Sequence, residues 1–123
     1  MPHLVLEYSS NIKEKDAFDS LFAQLHQILA KVGNASLESC KSRAIEYETF
    51  YIGDGNHKNA FVHLEVRLAE GRPLKIRQQI GEHMLDVLEL HFSQSLRDLN
   101  LQITVESKEL IKNLYFKIPR GTV

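Results

Sequence analysis

The feature that most limits the folds open to this chain is an order of strand, helix and strand that occurs twice. In the first half, a run of apolar residues predicts a largely buried strand over residues 2–8. Apolar residues spaced three and four apart over residues 18–32 then form one helical face, which Gly33-Asn34 ends. A second strand region is predicted over about residues 40–52.

The second half follows the same order after a turn-rich segment. A strand is predicted over residues 60–68, and Pro73 occupies the position of a first helical residue, where its missing N–H has no cost. Apolar residues at helical spacing continue over residues 76–92. Gly81 interrupts that helix at a cost of up to ~1 kcal/mol relative to alanine, which predicts close backbone packing there. Apolar and polar residues alternate over residues 101–105, as in a strand with one buried face.

This order of elements predicts an α+β fold in a single domain spanning residues 1–123. A helix between two strands favours parallel pairing, so two β-α-β units would form a four-stranded mixed sheet with both helices on one face. One more strand is possible at about residues 110–118. The sheet face without helices needs a cover, and such sheets usually oligomerise. The candidates for that interface are Leu4, Leu6, Phe61, Leu64 and the tail strand.

Charge and composition exclude several classes of function. The formal net charge is −1, and no basic run exceeds two residues, so nucleic acid is not an expected partner. No apolar stretch approaches the length of a membrane span, and the first residues lack the pattern of a signal peptide. Cys40 is the only cysteine, so no disulfide framework is expected and the predicted compartment is the reducing cytoplasm.

The histidines and the cysteine do not indicate a metal site. The six histidines are scattered, and none forms the helical pair typical of zinc enzymes. Cys40 has no CxxC partner, which favours a passive, partly buried thiol. No metal ligand is therefore predicted.

Pro2 directly follows the start methionine and leads into the first strand. Proline has no backbone N–H to donate to a ladder, but it is tolerated at the first residue of a strand. The position alone therefore favours an ordinary strand start. If Met1 is removed, Pro2 instead carries a free secondary amine. If Met1 stays, the nitrogen of Pro2 is an amide and cannot act as a base.

Three stretches point to a family. They are PHLVLEYS followed by NI at the N-terminus, KSR from Lys41 to Arg43, and the long run DGNHKNAFVHLEVRLAEGRPLKIRQQIGE. With these stretches, the chain resembles the 5-carboxymethyl-2-hydroxymuconate delta-isomerase family of the tautomerase superfamily. The resemblance covers nearly the whole chain and weakens after about Leu101.

The resemblance implies a homotrimer that needs no metal or organic cofactor. It implies that Pro2, freed from Met1, is the catalytic base, and that cationic side chains bind a substrate with two or three carboxylates. Arg72 matches one of these cations. Lys41 stands where the family has an arginine, and Arg43 matches a second family arginine. Because lysine cannot make the two-pronged contact of arginine with a carboxylate, the second cationic role stays open between Lys41 and Arg43.

The implied reaction shifts a carbon–carbon double bond by moving a proton, and these residue types suit that chemistry. One group must accept and then return the proton, which works best with a pKa near the working pH. A prolyl amine is too basic for this, but burial and nearby cations lower its pKa. The cations also stabilise the dienolate that forms.

Structural roles remain alternatives for each residue. Arg72 lies just before a helix N-terminus, where the helix dipole does not favour a cation, so a functional role is preferred there. Lys41 and Arg43 point the same way if they lie on a strand, and either can belong to a solvated strand face. Two other functions also fit: a tautomerase with another enol-acid substrate, and a non-catalytic trimeric binding protein.

Overall fold

A four-stranded mixed sheet organises the chain in the computed structural model, which describes residues 1–121. Its strands are β1 (His3–Ser9), β2 (Lys41–Tyr47), β3 (Asn59–Ala69) and β4 (Asn100–Leu110). The strand order is β2-β1-β3-β4. Strands β1 and β2 are parallel, as are β3 and β4, while β1 and β3 are antiparallel. The predicted fold class and the parallel pairing within each unit are confirmed.

The helices are α1 (Phe18–Lys31), α2 (Leu74–His91) and a short α3 (Ser93–Asp98), together with one-turn 3₁₀ helices at Leu37–Ser39 and Lys112–Leu114. The buried positions of α1 and α2 recur at intervals of four residues, as expected for one apolar helical face. Asn34 adopts a left-handed φ of 56° just after α1, at the predicted helix stop. Within residues 1–121, no helix is both long and apolar enough to cross a bilayer.

Buried and partly buried residues alternate strictly along β3, and the buried set identifies the face of the sheet that the helices cover. Its even-numbered residues, from Ala60 to Leu68, are fully buried and share one core with α1 and α2. Leu4, Leu6 and Leu64 belong to this core and are completely inaccessible to solvent. The prediction that these three leucines lie on the uncovered face is therefore wrong. The strand pattern showed that the residues alternate, but not which set faces the helices.

The uncovered face carries mainly polar side chains that interact across strands. Glu65 forms an ion pair with Lys108 of β4, in addition to one with Arg67 of its own strand, and His63 Nδ1 lies 2.6 Å from the hydroxyl of Thr104 of β4. Such cross-strand pairs stabilise a sheet. Phe61 is the one member of the predicted apolar set within β1 and β3 that lies on this face, since its neighbours Ala60 and Val62 are buried in the core.

The tail is not a strand, which corrects the prediction for residues 110–118. Strand β4 continues to Leu110, and a turn of 3₁₀ helix follows. The alternating apolar residues of the tail remain exposed, with Phe116 at 86% and Ile118 at 85%. Within residues 1–121 no strand pairs with this segment, so alternation alone does not make it one.

Two further predictions are corrected. Strand β2 ends at Tyr47, so the residues that follow up to 52 are not strand. Gly81 does not mark close backbone packing, because a Cβ added there would meet nothing within 4 Å. Gly33 is the crowded glycine instead: its Cβ would lie 2.8 Å from the carbonyl oxygen of Leu29 and 3.0 Å from Cδ1 of Ile80.

Candidate active site

A cavity of about 830 Å³ opens at the edge of the sheet where β1 begins and β3 ends. The loop after α1, the first turn of α2 and the tail complete its wall. Its charged groups include Arg72, Lys112, Lys117 and Glu70, and the N-terminal residues line it as well. The full lining comprises Met1, Pro2, Val32, Gly33, Asn34, Ala35, Ser36, Ser39, Ala69, Glu70, Gly71, Arg72, Pro73, Ile76, Lys112 and Lys117.

Pro2 is buried in this wall at the start of β1. Its carbonyl oxygen accepts a hydrogen bond of 3.1 Å from the backbone N–H of Lys41, which joins the starts of β1 and β2. Proline is tolerated there because the first strand residue need not donate to the ladder. Pro2 therefore both begins the strand, as an ordinary structural residue can, and lines the cavity.

The N-terminal amine lies in an environment that disfavours its charged form. Burial lowers the pKa of the Met1 amine below its usual value, and the charge of Lys41 lowers it further. Lys117 and Arg72 act in the same direction, while Cys40 opposes them. An amine at this place therefore loses its proton at a lower pH than a solvated one.

Arg72 is held by backbone carbonyl groups at the rim of the cavity. Its Nε donates to the carbonyl oxygen of Gly33 at 2.9 Å, and Nη1 donates to that of Ala69 at 3.3 Å. These bonds use two of its five N–H groups, and no protein acceptor within residues 1–121 engages the others. Because Gly33 follows the C-terminal end of α1, where a cation is stabilised, these bonds also give Arg72 a favourable structural position.

Lys41 and Arg43 lie on the same face of β2, paired in register with His3 and Val5 of β1. The amine of Lys41 donates to the carbonyl oxygen of Ser39 at 3.0 Å, and Arg43 Nη1 lies 3.2 Å from Nδ1 of His3. Neither side chain lines the cavity. The fold therefore brings Pro2 and Arg72 together, places Lys41 close enough to act on the amine through its charge, and leaves Arg43 beside His3.

Sequence reasoning missed the two lysines of the tail. Lys112 and Lys117 line the cavity, and both follow the last strand in a segment that was predicted to be a strand. Their basic character was the only signal in the sequence, and it did not distinguish them from solvated lysines. Glu70 was missed as well; its Oε2 accepts the backbone N–H of Lys112 at 2.7 Å and thereby fastens the tail to the turn after β3.

The start of α2 adds a further preference for anions. The helix begins at Leu74, its N-cap Pro73 lines the cavity, and no side chain caps it. The N–H groups of a first helical turn have no partners within the helix and carry partial positive charge. Together with the cations, they make the cavity suited to a carboxylated ligand. A neutral amine beside such a ligand can accept a proton from it.

Within residues 1–121, no group of three or more metal-binding side chains comes together.

Comparisons with known proteins find relatives that match nearly the whole chain. A sequence model of the family described as "CHMI: 5-carboxymethyl-2-hydroxymuconate isomerase" matches residues 2–119. A 5-carboxymethyl-2-hydroxymuconate Delta-isomerase from Escherichia coli is 35% identical over 117 residues, which cover 95% of this chain and 93% of that protein.

Solved structures are similar over nearly the whole chain. A 5-carboxymethyl-2-hydroxymuconate isomerase from Deinococcus radiodurans R1 superposes with a TM-score of 0.86 at 26% identity, covering 94% of this chain and 87% of that one. A fused 4-OT described as a symmetric trimer superposes with a TM-score of 0.76 at 16% identity, covering 98% and 94%. The second likeness concerns the fold alone.

Proposed function

We propose that this chain, which belongs to the 5-carboxymethyl-2-hydroxymuconate isomerase family, isomerises that compound. In this proposal the amine of Pro2, freed by removal of Met1, transfers the proton. The observation that supports this role is that Pro2 and Arg72 line one cavity in which burial and positive charge lower the pKa of an amine. A base that is neutral near neutral pH can take a proton and return it within one turnover.

The proton moves within one substrate molecule, so no other reactant is needed. The nitrogen of Pro2 takes the proton of the enol hydroxyl, the electrons of the O–H bond form the carbonyl group, and the double bonds shift along the chain. The resulting ammonium then gives the proton to the distal carbon, which restores the neutral amine. Negative charge spreads over the dienolate between these steps, and fixed cations stabilise it in a site shielded from water.

Arg72 is the first of these cations in our proposal. Backbone carbonyl groups already hold its Nε and Nη1, so it offers its remaining N–H groups to a substrate carboxylate without having to be ordered first. The charge of Lys41 lowers the pKa of the Met1 amine, and we expect it to act in the same direction on the amine of Pro2 once Met1 is removed. That Lys41 or Arg43 supplies a second cation in direct contact with the substrate stays a prediction.

Removal of Met1 tests the role of Pro2. Met1 itself is buried and lines the cavity, so its removal would both free the amine of Pro2 and open space for substrate. One sample that retains Met1 is divided, and half is treated with methionine aminopeptidase. Intact-mass spectrometry confirms each state before the isomerisation of 5-carboxymethyl-2-hydroxymuconate is followed by absorbance. We expect only the trimmed half to be highly active. The pH profile of its kcat/KM should show that activity requires one group in its neutral form, with a pKa below that of a free proline amine.

The outcomes separate the competing functions. Equal rates in both halves would show that the base is not Pro2. Activity of the trimmed half on other enol acids but not on this substrate would favour a different tautomerase, and ligand binding without any turnover would favour a non-catalytic binding protein. A Pro2→Ala variant is expected to retain part of the activity, because a primary amine is still a base.

We also propose that the chain forms a homotrimer. Strand β2 is an exposed sheet edge that carries Ile45 at 41% exposure, and unpaired edges readily pair with another chain. Leu114, Phe116 and Ile118 form a second exposed apolar surface on the tail. The likeness to a fused 4-OT described as a symmetric trimer is consistent with this state. Analytical ultracentrifugation that shows a stable monomer at micromolar concentration would rule the trimer out.

A further inference from the structure

We propose that Lys112 and Lys117 bind the third carboxylate of the substrate and so make the site selective for tricarboxylates over dicarboxylates. This inference rests on the proposed function, because it concerns the same cavity. Muconate is a dicarboxylate, and the carboxymethyl group adds a third carboxylate. A pocket that recognises the whole substrate must therefore balance three negative charges while the catalytic amine stays neutral.

The cavity contains three cationic side chains that suit this charge. They are Arg72, Lys112 and Lys117. Glu70 is the acidic residue in the wall, and one of its oxygens already accepts the backbone N–H of Lys112. Arg72 is held at the α1 side of the cavity, so the two lysines supply the charge on the side formed by the tail.

Both lysines are free to bind a ligand. Within residues 1–121, neither ammonium group has an acidic partner within ion-pair distance, whereas Lys15 and Lys108 pair with Glu46 and Glu65. The charge of Lys117 is felt at the N-terminal amine, whose pKa it lowers. The ammonium of Lys112 lies 3.9 Å from the position that a Cβ on Gly71 would take, next to Arg72 in the chain.

The tail that carries the lysines is fastened at two points. Glu70 holds the backbone of Lys112 at 2.7 Å, and the hydroxyl of Tyr115 lies 2.6 Å from Nε2 of His3. Arg43 donates to Nδ1 of His3 at 3.2 Å, so the ring proton is on Nε2 and is donated to Tyr115. Arg43 thereby acquires a role that its distance from the cavity would not suggest: it orients the histidine that anchors the tail.

Selectivity between two substrates provides the test. The kinetics of 5-carboxymethyl-2-hydroxymuconate and of the dicarboxylate 2-hydroxymuconate are compared for the wild type, Lys112→Gln, Lys117→Gln and the double variant. We expect each single change to lower kcat/KM for the tricarboxylate at least about tenfold more than for the dicarboxylate, and the double change to lower it further, since each change removes one charge-assisted hydrogen bond to the third carboxylate. Lys117→Arg should restore most of the selectivity.

Lys58→Gln is the matched control, because Lys58 lies outside the cavity wall and its side chain makes no bond within residues 1–121. Calorimetric titration with propane-1,2,3-tricarboxylate and with glutarate gives a second readout that needs no turnover. The glutamine changes should weaken binding of the first compound more than of the second. Thermal unfolding confirms that each variant is folded.

The result also separates this inference from the function on which it rests. A wild type that isomerises neither substrate would contradict the proposed function, while the titrations would still report on the lysines. An active wild type whose glutamine variants lose both substrates equally, or neither, would overturn the assignment of the lysines and leave the function standing.

Discussion

Gly33→Ala is the substitution that most directly tests how α1 and the cavity are coupled. Gly33 follows α1, and its carbonyl oxygen accepts the Nε of Arg72 at 2.9 Å. A Cβ at this position would lie 2.8 Å from the backbone oxygen of Leu29 and 3.0 Å from Cδ1 of Ile80. Backbone cannot rotate away as a side chain can, and Ile80 is almost completely buried. The loop and its carbonyl must therefore move.

The expected cost follows from these contacts. Overpacking of a filled core destabilises a protein by about 1–3 kcal/mol. Because the new Cβ would make two contacts shorter than the ordinary van der Waals distance, we expect Gly33→Ala to lower the free energy of unfolding by ~2 kcal/mol. For a domain of this size, that corresponds to a fall in Tm of roughly 6–10 °C. Displacement of the Gly33 carbonyl also loosens Arg72, and a loss of about 1 kcal/mol there would raise KM roughly fivefold.

Gly81→Ala is the matched control, since it makes the same chemical change in α2 where no atom lies within 4 Å of the new Cβ. Replacing this uncrowded helical glycine with alanine should stabilise by about 0.5–1 kcal/mol, so the two variants should shift Tm in opposite directions. Differential scanning calorimetry at one protein concentration measures both, because association would otherwise change Tm. A Gly33→Ala protein with wild-type Tm and KM would show that the loop after α1 tolerates the new methyl group and does not position Arg72.

Two other predictions concern charge. Arg72→Ala should lower kcat/KM about tenfold or more, since a charged hydrogen bond is worth about 1.5–3 kcal/mol. Lys41→Ala should lower kcat/KM less, because the side chain of Lys41 lies outside the cavity wall. Steady-state kinetics in which Lys41→Ala is the more damaging change would reverse this ranking. Burial lowers the pKa of His26, whose Nε2 lies 2.6 Å from the Ser42 hydroxyl. In the unfolded chain the pKa of His26 is about 6.5, so below that pH the unfolded chain binds more protons at His26 than the folded protein does. The free energy of unfolding should therefore fall as the pH drops from about 6.5 towards the lowered pKa of the folded state. His26→Gln should reduce the loss of Tm between about pH 7 and 5, and an unchanged slope would show that His26 does not contribute.

Much of the architecture could be predicted because it depends on local periodicity. Spacings of three and four residues mark α1 and α2, and alternation marks β3 and β4, since a helix turns every 3.6 residues and a strand every two. A helix between two strands then leads to parallel pairing in each unit. Pro2 and Arg72 could be proposed as site residues from the resemblance, because both lie in stretches that match the family.

The same local patterns failed where a residue's environment comes from distant parts of the chain. Alternation did not decide that Leu64 faces the helices, and helical spacing did not reveal that Gly33, rather than Gly81, is crowded. The tail has the period of a strand but no strand beside it within residues 1–121.

The elements, their order and the proline at the start of the first strand follow from the order of amino acids. Which charges lie beside that proline follows from how the strands pair and where the tail returns. The antiparallel contact of β1 with β3 brings the start of one strand beside the end of the other, and the tail that follows β4 returns to the same edge. Lys112 and Lys117 reach the cavity for that reason, although more than a hundred residues separate them from Pro2. Such proximity is a property of the sheet's strand order, and periodicity along the chain carries no information about it.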